Sequence, residues 1–404
     1  MSQNFAETAP QFYFNPFDPA FRANPYPHYK PLLAGPPRIL TGSMPLALIA
    51  RYDDVITTLR DHDRFSSVGP QVPGTERIDV FGGARTMLFS DPPIHTRLRR
   101  LVTRDFTPRR IRELEPGIRE IASELIDKAV SRGEFEVMRD LANPLPVMVI
   151  SQMLGVPATD YEKFKHWSDE VISAGNTLPG TPFPESAIAA RNALREYFSI
   201  EIAKRRAAPG PDLVSALIAA HEDAEALSAE ELLAFVLLLL LAGNETTTNL
   251  IGNGLLALGR DPDQMEKLRA NPSLMPAAID EMLRYDGPVQ ATGRFAKTAV
   301  NVGGTEIPAN SLAFVILAAA NRDPSHYRNP EVFDISRDAS DHIAFGEGIH
   351  FCLGSALARL EGSIAIGAAL ERFPRLRLAK PSAELKYKGS FTLRGLDSLA
   401  MATH

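Results

Sequence analysis

The chain of 404 residues has one cysteine, so it can form no internal disulfide, and nothing in its composition supports export to an oxidising compartment. Its opening stretch, MSQNFAETAPQFYFNPFDPAF, has no basic region followed by an apolar run, so neither a signal peptide nor a membrane anchor is read there. The longest apolar run, Leu232 to Ala242, falls short of the roughly 20 residues a spanning helix needs, and Glu230, Glu231 and Glu245 bracket it. No internal repeat or low-complexity linker divides the chain. A net charge of -6 offers nucleic acid no general attraction. Together these absences predict a cytoplasmic globular protein with no membrane and no nucleic-acid partner.

What is present is enough for a large core: 45% of the residues are hydrophobic and 23% charged. Charge is uneven, with seven arginines and one aspartate between residues 97 and 112. The first 50 residues, rich in proline and aromatics, predict an extended surface segment. Beyond them, helical periodicity predicts helices over 52–61, 93–104, 108–132, 158–174, 185–207, 213–222, 228–260, 263–270, 273–285 and 354–373. Strand signals are short: LALIA near 46, a hairpin turning at Gly303-Gly304, and a terminal hairpin in KYKGSFTLRG. Stretches 66–90 and 175–184 predict long loops of the kind that form lids or binding elements. The expectation is one mainly α domain over residues 1–404 with a small β component.

The single cysteine lies in FGEGIHFCLG, residues 345–354. Gly346, Gly348 and Gly354 allow positive φ or close approach to a flat group, and a helix follows directly. A thiolate there would be favoured by the helix amino terminus. Zinc would need further ligands, and there is neither a second cysteine nor an HExxH. A single thiolate suits haem iron, to which it donates electron density.

This stretch resembles the haem-binding loop of the cytochrome P450 family, FGxGxHxCxG, at Phe345, Gly346, Gly348, His350, Cys352 and Gly354. The resemblance implies that Cys352 is the proximal ligand of haem b (iron protoporphyrin IX), that Phe345 packs near the sulfur and that His350 reaches a propionate. Distant segments agree. LLAFVLLLLLAGNETTTNL follows the capping box SAEE, and Gly243 in its middle costs about 1 kcal/mol relative to alanine. The family's AGx(D/E)T matches Ala242, Gly243, Glu245 and Thr246, which implies an oxygen groove beside an acid and alcohol that relay protons. EMLR matches ExxR and implies a buried structural pair, Glu281 and Arg284, joined by Arg337. DPPIHTRLRR puts His95 and Arg99 on one helix face. The resemblance makes them, with Arg294, the cationic partners of the propionates.

The resemblance therefore implies the P450 fold, a triangular prism with haem between the long central helix and the helix after the cysteine loop. It implies a bacterial-type haem-thiolate monooxygenase that inserts one atom of O2 into an apolar small molecule by hydroxylation, epoxidation or dealkylation. Electrons would come from NAD(P)H through a separate reductase and ferredoxin, because no spare cysteines or further domain exist to hold redox centres. The arginine-rich stretch offers an acidic ferredoxin a basic surface. Leu238, one turn before Ala242, is expected in the substrate pocket, and the resemblance adds Leu88, Phe89, Val289, Ala291 and Phe391. Alternatives are a peroxide-driven peroxygenase and a haem gas sensor or carrier, neither of which needs the acid–alcohol pair.

Overall fold

The computed structural model describes residues 13–16, 18–42, 44–69, 81, 83–174, 183–219, 227–381, 384–388 and 392–404. Helices dominate and pack around one of their number, Ala229–Arg260, 32 residues and roughly 48 Å long. Its start is fixed by a complete capping box: Ser228 Oγ accepts from the Glu231 amide at 3.1 Å, and the Glu231 carboxylate accepts from the Ser228 amide at 2.9 Å. By length and apolarity alone it is the one helix among the described residues that could cross a membrane. The apolar run does not show this, because the helix continues well beyond its carboxyl end, to Arg260. It is nevertheless a core helix, with 67% of that window buried inside the protein.

Most predicted helices form close to their expected limits. The predicted helix over 108–132 divides into Pro108–Glu113 and Glu115–Arg132, since Pro116 has no N–H to continue the first segment and instead occupies the first turn of the second. The helix Pro144–Met153 was not expected from NPLPVMVISQM. Both its prolines lie in the first turn, where the missing N–H groups would have had no helical partner, and eight of its residues are buried.

The expectation of an extended surface segment over residues 1–50 is corrected for the described part. Pro19–Ala23 and Tyr26–Leu33 are helices, each with a proline at its start, and Arg38–Leu40 pairs with Leu46–Ile49. Phe21, Tyr26, Tyr29 and Leu32 are buried in a cluster with Ala291 and Phe314. The aromatics gain more by covering the sheet than by staying in water, at about 25 cal/mol per Å² of apolar surface removed.

The largest sheet has five strands in the order Arg38–Leu40, Leu46–Ile49, Leu312–Val315, Thr292–Ala296, Phe65–Ser66. Only the pairing of Leu46–Ile49 with Leu312–Val315 is parallel. The predicted Gly303-Gly304 turn closes Val300–Val302 onto Thr305–Ile307 with φ of 57° and 95°, values suited to a two-residue hairpin turn. The terminal hairpin appears as the pairing of Tyr387 with Leu396, and its tip lies outside the described residues.

Candidate active site

The cysteine loop is held by backbone bonds: the Cys352 amide donates to Phe345 O at 3.0 Å and the Gly346 amide to Ile343 O at 2.9 Å. Gly346 and Gly348 have φ of 72° and 70°, and a Cβ on Gly348 would lie 2.6 Å from Leu59 O, so no other residue fits there. Gly354 caps the helix Ser355–Arg372 at φ -86° and has open space where a Cβ would stand. Its missing side chain leaves room for a flat group and answers no backbone strain. Burial pushes the Cys352 thiol up, against the Gly354 amide and the charges of Arg99 and Arg359. In the protein alone, desolvation therefore outweighs the helix terminus, and binding a metal through this sulfur releases a proton.

The central helix lies alongside Ser355–Arg372, with Gly362 against Leu250 and Gly254 against Ile366. These contacts are four residues apart on both helices, so the two run in the same direction here. Continued back two turns on each, that register brings Gly354 level with Ala242. Ala242 is exposed, Glu245 and Thr246 are half-buried, and Thr246 Oγ1 donates to Ala242 O at 2.8 Å. Gly243 has a packing partner of its own: a Cβ there would lie 3.2 Å from Ile150 Cδ1, on the unexpected helix Pro144–Met153. Burial raises the Glu245 carboxyl; Lys388 and Lys165 oppose this and Asp169 adds to it.

His95 and Arg99 project from the helix Ile94–Thr103 and Arg294 from a central strand, all toward His350 in the cysteine loop. The His95 and His350 rings lie 4.4 Å apart, and Ser67 Oγ is 2.9 Å from His350 Nε2. His350 is held down to about 3, first by burial and then by Arg294 and His95; Arg294 is brought down to about 10 by burial. Neither ring nitrogen of His95, 2% exposed, meets a well-aligned hydrogen-bond partner, the backbone of Ile349 contributing only a weak interaction. Among the described residues, Arg99 and Arg294 form no ion pair, and Asp91, the acid acting on the cluster, is engaged by Ser66, Ser67 and Lys297. Such a gathering of cations lacks two anions. The two carboxylates of a haem would supply them, so the residues present fit that group.

Below the loop, Arg284 binds Glu281 in a fork at 2.6 and 2.9 Å, both side chains wholly buried, and Arg337 Nε reaches the same carboxylate at 3.3 Å. Both arginines also donate to Val332 O, so the trio clamps the segment leading to the cysteine loop. A second network was not expected. Asp280 accepts from Arg359 at 2.7 Å and lies 3.3 Å from His342, and the Arg359 guanidinium stacks 4.5 Å from the Phe345 ring. His342 Nδ1 accepts from the Ala344 amide, which leaves Nε2 to carry the proton toward Asp280. Burial pushes Asp280 up, but His342 and Arg359 outweigh it and hold the carboxyl low. Glu361, fully buried on the same helix as Arg359, is also new: burial alone raises it to about 8, and its Oε2 has no partner.

The expected pocket residues separate. Leu88 and Phe89 are 44% and 48% exposed, uncommon for large apolar side chains in a loop. Leu238 is buried and lines a small cavity with Met87, Leu98, Val102 and Phe235. Val289 bridges to Leu393, whereas Ala291 belongs to the core under the amino-terminal helices. Phe391 lies outside the described residues.

Comparison with family models matches Cytochrome P450 over residues 35–393, and the chain belongs to that family, whose members are haem-binding, iron-containing monooxygenases. It is 42% identical over 396 residues to cytochrome P450 107B1 of Saccharopolyspora erythraea, covering 95% of this chain and 96% of that protein. It is also 42% identical to the vitamin D(3) 25-hydroxylase of Pseudonocardia autotrophica, at 95% and 94% coverage. The solved structure of PksS, the bacillaene polyketide synthase cytochrome P450 of Bacillus subtilis, superimposes with a TM-score of 0.88 at 36% identity, covering 97% of this chain and all of that one. The P450 fold expected from the sequence is thus borne out.

Proposed function

We propose that this cytochrome P450 is a cytoplasmic haem b monooxygenase, one domain over the whole chain, that oxidises a bulky apolar small molecule with O2 and electrons from NAD(P)H through a ferredoxin. The observation that carries the cofactor assignment is the pair of guanidinium groups, Arg99 and Arg294, that form no ion pair among the described residues and stand with the buried imidazoles of His95 and His350 beside the cysteine loop. When bound there through Cys352, haem supplies the oxygen-activating chemistry.

The chain's own residues do the rest. Arg99 and Arg294, with the imidazoles of His95 and His350, would hold the propionates of a haem bound there. The clamp of Glu281, Arg284 and Arg337, with Arg359 stacked on Phe345, keeps the sulfur at one height. Thr246, its hydroxyl anchored on Ala242 O, and Glu245, its carboxyl raised by burial, would deliver protons to the groove beside Ala242. Leu238 with Met87, Leu98, Val102 and Phe235 gives the cavity an apolar lining that favours an apolar substrate, and the exposed Leu88 and Phe89 offer further apolar surface for it. The vitamin D(3) and polyketide enzymes among its relatives are consistent with a large one.

Of the arginines between 97 and 112, Arg97 pairs with Glu231 and Arg109 and Arg110 with Glu113, yet Arg109 stays 86% exposed. This face docks the ferredoxin. Charge reversal at Arg109 and Arg112 will slow reduction and flatten its salt dependence; an unchanged rate removes the docking role. The ferrous protein under carbon monoxide will show the red-shifted Soret band of thiolate ligation, and a colourless protein refutes the assignment. Thr246→Ala will consume NAD(P)H without matching product; normal coupling takes Thr246 out of the proton path.

A further inference from the structure

Along one face of the central helix, at intervals of four residues, stand Glu245, Asn249 and Asn253. Most of the helix around them is apolar and buried. Asn249 is 0% and Asn253 2% exposed, yet Glu245 Oε2, both amide atoms of Asn249 and Asn253 Oδ1 have no well-formed hydrogen bond. Asn249 is near enough to pull the Glu245 carboxyl down slightly, without an aligned bond. At about 1–3 kcal/mol for each buried unsatisfied polar group, four such atoms in one stripe would cancel much of a domain's net stability. Buried groups left so by protein are ordinarily satisfied by water.

The stripe faces the terminal hairpin. Asn253 Nδ2 donates to Asp286 O at 3.0 Å and to Arg394 O at 3.1 Å. A Cβ on the next residue, Gly395, would lie 1.9 Å from Asn249 Oδ1, so the hairpin backbone presses directly on the stripe and only glycine fits. Gly395 O accepts from the amide of Lys388, whose charge acts on Glu245. Beyond that strand, Lys388 and Arg394 line a cavity of about 20 Å³ with Tyr29, Gln290 and Tyr387. That is room for a single water.

We propose that Asn249 and Asn253 are positioning residues for a file of water that runs from the terminal hairpin along the central helix to Glu245 and supplies it with protons. The Asn249 amide both donates and accepts, so it can hold water in either orientation without binding a proton itself, while Asn253, its Nδ2 committed to two backbone carbonyls, offers Oδ1 as an acceptor. The file deepens the proposed role of Glu245 and rests on that reading.

Two measurements test it. A crystal structure of the haem-loaded protein will place ordered waters within hydrogen-bond distance of Asn249 Oδ1 and Nδ2 and of Asn253 Oδ1; a dry stripe overturns the proposal whatever Thr246 does. Asn249→Leu, nearly the same size, will lower product formed per NAD(P)H at least about fivefold, a small part of the 10²–10⁴ that positioned proton transfer contributes, and will raise the solvent deuterium isotope effect. The Glu245 carboxyl infrared band will titrate at a different pH in that variant, and Asn249→Ser, which keeps a partner for water, will restore coupling. If Asn249→Leu instead gives unchanged coupling, an unchanged isotope effect and a higher melting temperature, Asn249 is packing and the file does not exist. Loss of coupling in Thr246→Ala together with that outcome leaves the proton role of the acid–alcohol pair intact and sinks the water file alone.

Discussion

Replacing Arg294 with methionine should have opposite effects on the haem-free and haem-loaded protein. Burial brings the guanidinium from 12.5 down to about 10, and no acid among the described residues pairs with it. Each pKa unit is 1.36 kcal/mol, so in the absence of haem burial costs the charged side chain about 3 kcal/mol relative to the same group in water. A depressed cation is penalised in full below its folded value and relieved only as pH rises from about 10 toward 12.5, so the whole penalty is present at pH 7. Methionine keeps the apolar stem and removes the charge. It gives up the bonds from Nη1 to Gly293 O and Thr292 Oγ1, but Gly293 is exposed and water can replace the guanidinium there. The haem-free variant should therefore be more stable, by up to about 3 kcal/mol, in guanidinium denaturation at pH 7. A charge-assisted hydrogen bond is worth about 1.5–3 kcal/mol, so haem affinity should fall about 10- to 150-fold in a Soret titration. A less stable haem-free variant with unchanged haem affinity would refute the view that Arg294 waits for a propionate.

Two further outcomes follow from buried carboxylates. Glu281→Ala leaves Arg284 charged and wholly enclosed, and breaking such a pair costs about 3–5 kcal/mol; thermal denaturation should show that loss together with poor haem retention, and a change under about 1 kcal/mol would argue against the clamp. Glu361, raised to about 8, holds its proton in the folded state after the unfolded chain has lost it, so stability should decline as pH rises from 5 to 8, by about 4 kcal/mol over these three units. In Glu361→Gln urea denaturation should find this slope abolished; an unchanged slope would place its origin elsewhere.

Local chemistry was legible where short-range rules decide the outcome. The capping box at Ser228, the Gly303-Gly304 turn and the left-handed glycines of the cysteine loop each follow from residues within a few positions of one another. Prolines misled in both directions, because the same residue that breaks a helix interior starts a helix at its first turn, as at Pro19 and Pro144. Ala291 shows the limit for apolar positions: hydrophobicity says that a side chain is buried but not beneath which element, and here it is the amino-terminal aromatics.

Residue order alone was enough to pick out Cys352 as the proposed ligand and Glu245 and Thr246 as the proposed proton relay, and to set the start of the helix that carries them, since one cysteine in a glycine frame and one capped apolar segment admit few alternatives. Only the tertiary structure decided which groups stand near them. It set Asp280, His342 and Arg359 around Phe345 from positions up to 79 residues apart, and laid Gly395 against Asn249 across 146. The physical reason is that a side chain's pKa, its hydration and its partners depend on what chain packing removes from water, and spacing along the sequence carries no record of that.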